Sequence, residues 1–126
     1  KKFNNITYVS AVSPDLLPRY IRNCCGSFNL KTGIQGQFAS PLKIYESLGC
    51  GVPVISLDSE GARFVVKSEE HGYLLSDVFD SEKIVSCMHN LARRDKKSNR
   101  LENYILENHS WNSRGLLTTE IISKLF

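Results

Sequence analysis

The fold is decided by the stretch SPLKIYESLGCGVPVISL, which spans residues 40–57 of the chain. Its first two residues, Ser40 and Pro41, form a strong helix start. Serine can cap free backbone amides, and proline fits the first helical position without losing a needed donor. The sequence therefore predicts a helix over residues 42–50, which ends at Gly51 because glycine accepts the left-handed conformation of a helix stop.

A short apolar run, residues 52–57, follows this helix directly. Continuous apolar runs of this length are typical of strands that are buried on both faces, as in parallel sheets covered by helices. Pro53 is tolerated because it stands at the start of the run, where a strand does not need its amide.

Strand-like and helix-like segments alternate along the rest of the chain. The same patterns predict further strands at 6–9, 27–30 and 72–75, and further helices at 16–25, 62–69, 84–92, 101–105 and 116–125. The predicted fold is therefore α/β, a Rossmann-like parallel sheet flanked by helices. At 126 residues we expect one domain over 1–126, with a terminal helix over 112–126.

Composition excludes several classes of protein. The chain is 41% hydrophobic and 23% charged, as in soluble globular proteins, and its net charge is only +3. The one dense basic cluster, residues 93–97, has no interleaved aromatic residues, which argues against nucleic-acid binding. No apolar run has the ~20 residues that span a bilayer. We expect a cytoplasmic protein and leave open contact with the cytoplasmic face of a membrane.

No metal or cofactor site is predicted. The four cysteines and three histidines lack the local spacing of a zinc site, and the cysteines are too few for a disulfide scaffold (Cys24, Cys25, Cys50, Cys87, His71, His89, His109).

The predicted helix over 42–50 begins where an open α/β sheet binds its ligands, outside the carboxyl ends of the strands. The candidate binding residues are Ser40 and Pro41 at the helix start, with Leu42 and Lys43 in the first turn. Free amides of Leu42 and Lys43 and the positive end of the helix dipole suit a phosphate or pyrophosphate. The ammonium group of Lys43 adds a full positive charge.

Glu46 is a candidate for holding a ribose. It lies three residues after Lys43 on the same helical face, and a carboxylate can accept hydrogen bonds from two neighbouring hydroxyls. The simpler alternative is a surface Lys43–Glu46 ion pair, which contributes only ~0.3 kcal/mol to helix stability. Spacing alone favours that alternative.

The segment 40–55 resembles the donor-site helix and strand of family 4 glycosyltransferases, which have the GT-B fold. The resemblance continues more weakly through Asp58 and Gly61, through residues 71–75, and through Ser110-Trp111 before a final amphipathic helix. We interpret Trp111 as a packing anchor for this last helix and not as a platform for stacking a sugar. Nearly the whole chain can be laid on the second half of the carboxy-terminal, donor-binding domain of such an enzyme.

The resemblance implies transfer of a hexose-type sugar from a nucleotide-diphosphate donor, with retention of configuration and no bound metal or other cofactor. It implies that Glu46 binds the donor ribose and that Val12 and Ser13 lie near the nucleobase. It also implies an amino-terminal acceptor domain beyond this chain, and a glycan or lipid-linked acceptor in surface polysaccharide synthesis. The chain alone is then expected to be inactive, and its catalytic residue is unknown.

The chain departs from the family pattern in two places. Phe38 stands where many members carry a glutamate, and residues 60–64 replace the common Gly-Gly-x-Pro-Glu. The first departure keeps a second hypothesis open, a non-catalytic nucleotide or nucleotide-sugar binding module. A third hypothesis, a flavodoxin-like signalling domain, is poorly supported. Such domains need an acidic cluster at the ends of their strands, and only Asp58 stands at the end of a predicted strand here.

Overall fold

The structure of the chain is a computed structural model that describes residues 3–33, 41–95 and 99–125. Three strands and six helices lie within these ranges. In chain order they are α1 (Leu17–Arg22), β1 (Ser27–Asn29), α2 (Leu42–Gly49), β2 (Val54–Leu57), α3 (Glu60–Val65), β3 (Gly72–Leu75), α4 (Ser81–Ala92), α5 (Arg100–His109) and α6 (Trp111–Ser123). The alternation confirms the predicted α/β class.

The three strands form one parallel sheet in the order β1-β2-β3. Val54 at the start of β2 pairs with Ser27 on one side and with Gly72 on the other. The apolar run that includes β2 is therefore the centre of the sheet in the described part of the chain, as its composition predicts.

Helices cover both faces of the sheet. Val54 and Ile55 are successive residues of β2, so their side chains point to opposite faces, and each enters a different core cluster. The Val54 cluster contains Ile44 and Leu48 of α2, Ala62 and Val65 of α3, Val66, and Leu101 of α5. The Ile55 cluster contains Leu75 together with Cys87 and Leu91 of α4.

Helix α2 begins at Leu42 as predicted, but Pro41 does not occupy its first helical position. Pro41 has φ −82° and ψ 65°, outside the helical region, so it is the residue before the helix and not its first turn. Its carbonyl still accepts the first helical hydrogen bond, from the amide of Ile44 at 2.8 Å. The predicted cap, Ser40, lies outside the described residues. The stop at Gly51 is confirmed, since this glycine has the left-handed φ of 77°.

Three sequence predictions are wrong. Residues 6–9 form no strand; they carry no strand pairing, and Tyr8 is 88% exposed. The helix predicted over 62–69 spans Glu60–Val65 instead, because Ser59 caps its start and Val66 is already extended. Trp111, interpreted as a packing anchor, is 90% exposed.

Helix α6, which corresponds to the predicted amphipathic last helix, contributes no buried residue. Its four aliphatic side chains are each at least 50% exposed: Leu116, Leu117, Ile121 and Ile122. It begins because the Ser110 hydroxyl accepts from the amide of Ser113 at 3.1 Å. Across residues 3–33, 41–95 and 99–125, no helix combines the length and the apolar character that crossing a membrane requires.

Candidate functional site

The first turn of α2 presents three of the predicted binding residues to solvent. Leu42 is 66% exposed, and Lys43 and Glu46 are also exposed, while the opposite face buries Ile44 and Leu48. Because residues three apart on a helix differ by about 60° in direction, Lys43 and Glu46 share one face. The structure thus brings these two side chains onto the same side of α2.

The start of α2 has backbone amides that are available to a ligand. The amides of Ile44 and Tyr45 both donate to the Pro41 carbonyl, at 2.8 and 3.4 Å, and no side chain in the described ranges caps the helix. Among the described residues, the amides of Leu42 and Lys43 have no acceptor. Such amides, with the positive end of the helix dipole, are a favourable environment for an anion.

Lys43 and Glu46 do not pair with each other. The ion pairs formed by the described residues do not include one between these two side chains. The surface ion pair that their spacing favours is therefore not formed. Both charges are therefore available to a ligand that lies along the exposed face of α2.

The predicted base-side residues, Val12 and Ser13, precede α1. Val12 is half-buried, and the Ser13 carbonyl accepts from the amides of Leu16 and Leu17. Helix α1 contacts α2, and the ends of both helices line one cavity, so the two helices start toward the same edge of the sheet. The structure describes no contact between either residue and Glu46.

A polar cavity of about 240 Å³ opens at the carboxyl ends of the three strands. We call it the carboxyl-edge pocket. It is lined by Asn29 and residues 31–33 after β1, by residues 57–59 after β2, and by residues 76–78 after β3. Among the described residues, none of the binding residues predicted from sequence lines this pocket. The available signal was the run of polar residues that follows each predicted strand.

Asp58 is held firmly in this pocket. Its carboxylate accepts from Nε and Nη2 of Arg63, at 2.6 and 2.7 Å, and its amide donates to the Leu75 carbonyl at 2.8 Å. The hydrogen bonds from Arg63 lower the pKa of the Asp58 carboxyl, and burial opposes this only partly. Asp58 is therefore ionised at neutral pH.

The larger cavity, of about 670 Å³, lies at the opposite, amino edge of the sheet. Cys24, Cys50 and several arginines line it. One of these, Arg22, lies 3.7 Å from Glu102, and Arg94 donates to the Tyr73 hydroxyl at 2.9 Å. Ligands of open α/β sheets bind at the carboxyl edge, so size alone does not make this cavity the functional site.

A cluster of aromatic and histidine rings joins α3, α5 and the turn before β3. The ring of His71 stacks on Tyr104 at 4.0 Å, and Nδ1 of His71 accepts from the Lys67 amide. The Tyr104 hydroxyl donates to the Val65 carbonyl, so Nε2 of His109 must donate to that hydroxyl. This leaves Nδ1 of His109 buried without a partner.

Burial lowers the pKa of both histidines, so both are neutral in the fold at neutral pH. In the part of the chain that the structure describes, no group of three or more His, Cys, Asp or Glu side chains could hold a metal ion. These histidines are therefore best explained by their packing and hydrogen bonds.

Comparison with known proteins gives one match. The family model described as Glycosyl transferases group 1 matches residues 4–107, which include α1 to β3, α4 and most of α5. No curated protein and no solved structure matches the chain.

Proposed function

Because the chain belongs to the group 1 glycosyl transferases, we propose that it binds a nucleotide-diphosphate sugar at the start of α2 for transfer of a hexose-type sugar. The observation that carries the proposal is the start of α2, where the amides of Leu42 and Lys43 have no acceptor among the described residues. Lys43 and Glu46 share an exposed face of the same helix. Family membership supplies the class of reaction, and this face supplies the groups that the donor needs.

Each part of the donor has a partner in this proposal. The diphosphate accepts from the amides of Leu42 and Lys43, beside Pro41, and the Lys43 ammonium neutralises its charge. Ser40, which directly precedes Pro41, would donate its hydroxyl to the same diphosphate. Glu46, one turn further on, accepts from the two ribose hydroxyls. Val12 and Ser13 border the base, because α1 and α2 start toward the same edge.

Transfer itself needs more than this site. The donor face is exposed, whereas glycosyl transfer needs a closed site that excludes water. We therefore propose that a second, amino-terminal domain covers it in a GT-B arrangement and brings a glycan or lipid-linked acceptor. Polysaccharide synthesis at the cytoplasmic face of a membrane, with retention of configuration and without a metal, is the setting that we propose.

A second candidate function is a non-catalytic nucleotide-sugar binding module. It is favoured by Phe38, which stands where many members of the resembled family carry a glutamate. Both candidates bind a donor, so binding alone does not separate them. Sugar transfer by protein that includes the acceptor-binding part would reject the module.

The binding site is tested by Glu46→Gln. Loss of two hydrogen bonds to a charged group should weaken binding of a nucleoside diphosphate by about 1.5 to 3 kcal/mol, or roughly 10- to 150-fold. Calorimetric titration measures this change, and thermal melts show whether folding is kept. Glu107→Gln, at another exposed helical carboxylate, is the matched control and should change affinity by less than ~0.5 kcal/mol.

Two results would count against the proposed site. Equal affinity of the Glu46→Gln variant and the original chain would remove Glu46 from the site. Failure of the original chain to bind any nucleoside diphosphate would reject donor binding at the start of α2 altogether.

A further inference from the structure

The carboxyl-edge pocket has the size of a small polar group. Its volume of about 240 Å³ would hold roughly eight waters at ~30 Å³ each. That is below the ~300 to 1,000 Å³ of sites for drug-sized ligands, so it does not accommodate a whole nucleotide. The pocket suits one compact, hydroxyl-bearing ring.

The lining offers what hydroxyl groups require. A hydroxyl both donates and accepts, so its site needs donors and acceptors together. The ammonium of Lys31 and the hydroxyls of Thr32, Ser59 and Ser76 can donate, and Asp58 and Asp77 can accept. A metal ion would instead need a convergent set of carboxylates, and the described residues contain no such group.

Asp58 is an oriented acceptor in the pocket. Its backbone is tied to β3 by the bond from its amide to the Leu75 carbonyl, and both carboxylate oxygens are oriented by Arg63. A carboxylate has about four lone-pair sites, so two accepting sites remain after Arg63 is bound. The Asp58 side chain keeps 30% of its surface exposed, which leaves these sites accessible.

We propose that Asp58 accepts hydrogen bonds from two hydroxyls of the donor's sugar in the carboxyl-edge pocket, and that Arg63 is the positioning residue that orients it. The inference rests on the proposed function, because the sugar must be attached to a diphosphate at α2. It assigns sugar selectivity to the segment after β2, where this chain departs from the common Gly-Gly-x-Pro-Glu pattern.

The alternative is that Asp58 and Arg63 form an ordinary surface ion pair. Arg63 is 64% exposed at its side chain, and exposed pairs contribute only ~0.2 to 1 kcal/mol to folding. An ordinary pair would affect stability slightly and ligand binding not at all. A stability measurement therefore does not separate the two explanations, but a measurement of sugar selectivity does.

The experiment compares a panel of nucleoside diphosphates with the matching nucleotide sugars on the 126-residue chain. The readout is the dissociation constant of the nucleoside diphosphate divided by that of the matching nucleotide sugar. This ratio isolates the contribution of the sugar to binding. Asp58→Asn should reduce this ratio about five- to tenfold, while affinity for the nucleoside diphosphate stays within about twofold.

Two further variants test the role of Arg63. Arg63→Ala should reduce the ratio by a smaller factor, because the carboxylate is kept but loses its orientation. Arg63→Lys should restore only part of the loss, since an ammonium cannot hold both oxygens in one fork. Glu120→Gln is the control, because Glu120 of α6 forms a 2.6 Å ion pair with Lys124, directly after that helix, and should not alter the ratio.

Free monosaccharides, tested by saturation-transfer NMR, separate the two proposals. Sugar signals that disappear in Asp58→Asn support the pocket even if no nucleotide binds, in which case only the donor site at α2 fails. Normal nucleotide binding with an unchanged ratio in Asp58→Asn overturns the inference and leaves the proposed function standing. Absence of both sugar and nucleotide binding rejects both.

Discussion

Gly72 is the residue whose side-chain size matters most to the sheet. Its φ of 142° is open to glycine but strained for other residues, and a Cβ there would lie 1.9 Å from the Val54 carbonyl oxygen. The amide of Val54 donates to the adjacent His71 carbonyl at 3.0 Å, so β2 and β3 approach closely at this point. A methyl group would force the two strands apart.

We expect Gly72→Ala to lower the free energy of unfolding by about 3 kcal/mol or more, because the clash is with backbone and not with a flexible side chain. Gly115→Ala is the matched control. Gly115 lies inside α6 with open space around it, so alanine there should raise stability by roughly 0.5 to 1 kcal/mol. Urea denaturation of both variants measures the contrast. Near-normal stability of Gly72→Ala would show that the strands can separate.

Some individual residues could be predicted from sequence and others could not. The shared face of Lys43 and Glu46 follows from helical periodicity alone, and both side chains are exposed as that periodicity requires. The bond between Asp58 and Arg63 could not be anticipated, because the two are five residues apart and belong to a loop and a helix. Their contact depends on where α3 begins, which sequence patterns place poorly.

Among the elements, those with strong internal signals were predictable. The α2–β2 unit has a helix stop at Gly51 and a continuous apolar run, and the structure has both where the sequence places them. Residues 6–9 have strand-like composition but no pairing in the structure, because a strand needs a neighbour that composition does not specify. The prediction that Trp111 is packed is wrong for a related reason, because burial of a side chain requires a partner surface.

The histidine cluster connects elements that are distant in sequence. His71 precedes β3 and His109 ends α5, so no local spacing indicates that both contact Tyr104. Protonation would disrupt both sites. Nδ1 of His71 would lose its bond from the Lys67 amide, and Nδ1 of His109 would become a buried donor without an acceptor. The cluster therefore requires neutral rings.

We expect stability to fall as pH decreases below about 6.5, the ordinary histidine pKa. Burial lowers the pKa of both histidines, so the unfolded chain binds protons that the folded chain does not. The stabilisation is complete above that pH and is lost progressively below it. For His71 the charge of Glu70 opposes the shift, whereas Arg114 and Lys67 reinforce it for His109.

Urea midpoints between pH 7.5 and pH 5.0 test this expectation, with the slope against pH as the readout. His71→Gln and His109→Gln should each flatten the slope even if they lower stability overall. His89→Gln, at an exposed histidine outside the cluster, is the control for the His-to-Gln substitution itself. A slope that is unchanged in both cluster variants would show that neither histidine is linked to folding.

At the scale of the whole molecule, this glycosyltransferase presents its candidate site along one open edge of the sheet. The start of α2 and the carboxyl-edge pocket both lie on the side where the strands end. The positive groups at that edge include backbone amides, lysines and Arg63, and the described residues hold no cluster of metal ligands. Charge on a diphosphate would then be balanced by the protein itself.

Donor binding should therefore be independent of divalent metal. Nucleoside diphosphate titrations with and without chelator should give dissociation constants within about twofold of each other, since the amides of α2 and Lys43 carry the anion. Glu46→Gln, measured under both conditions, checks that the same site is being observed. One tightly held metal per chain after dialysis against chelator would contradict this expectation.

The cover of α2 by α5 has a consequence for synthesis of the chain on the ribosome. Ile44 and Leu48 are sealed in the core partly by Leu101, which is translated more than fifty residues later. At about 5 to 20 residues per second, the apolar face of α2 waits roughly 3 to 10 s for its cover. During that interval the nascent chain exposes the apolar face of α2, and this is the stage at which a chaperone would bind it.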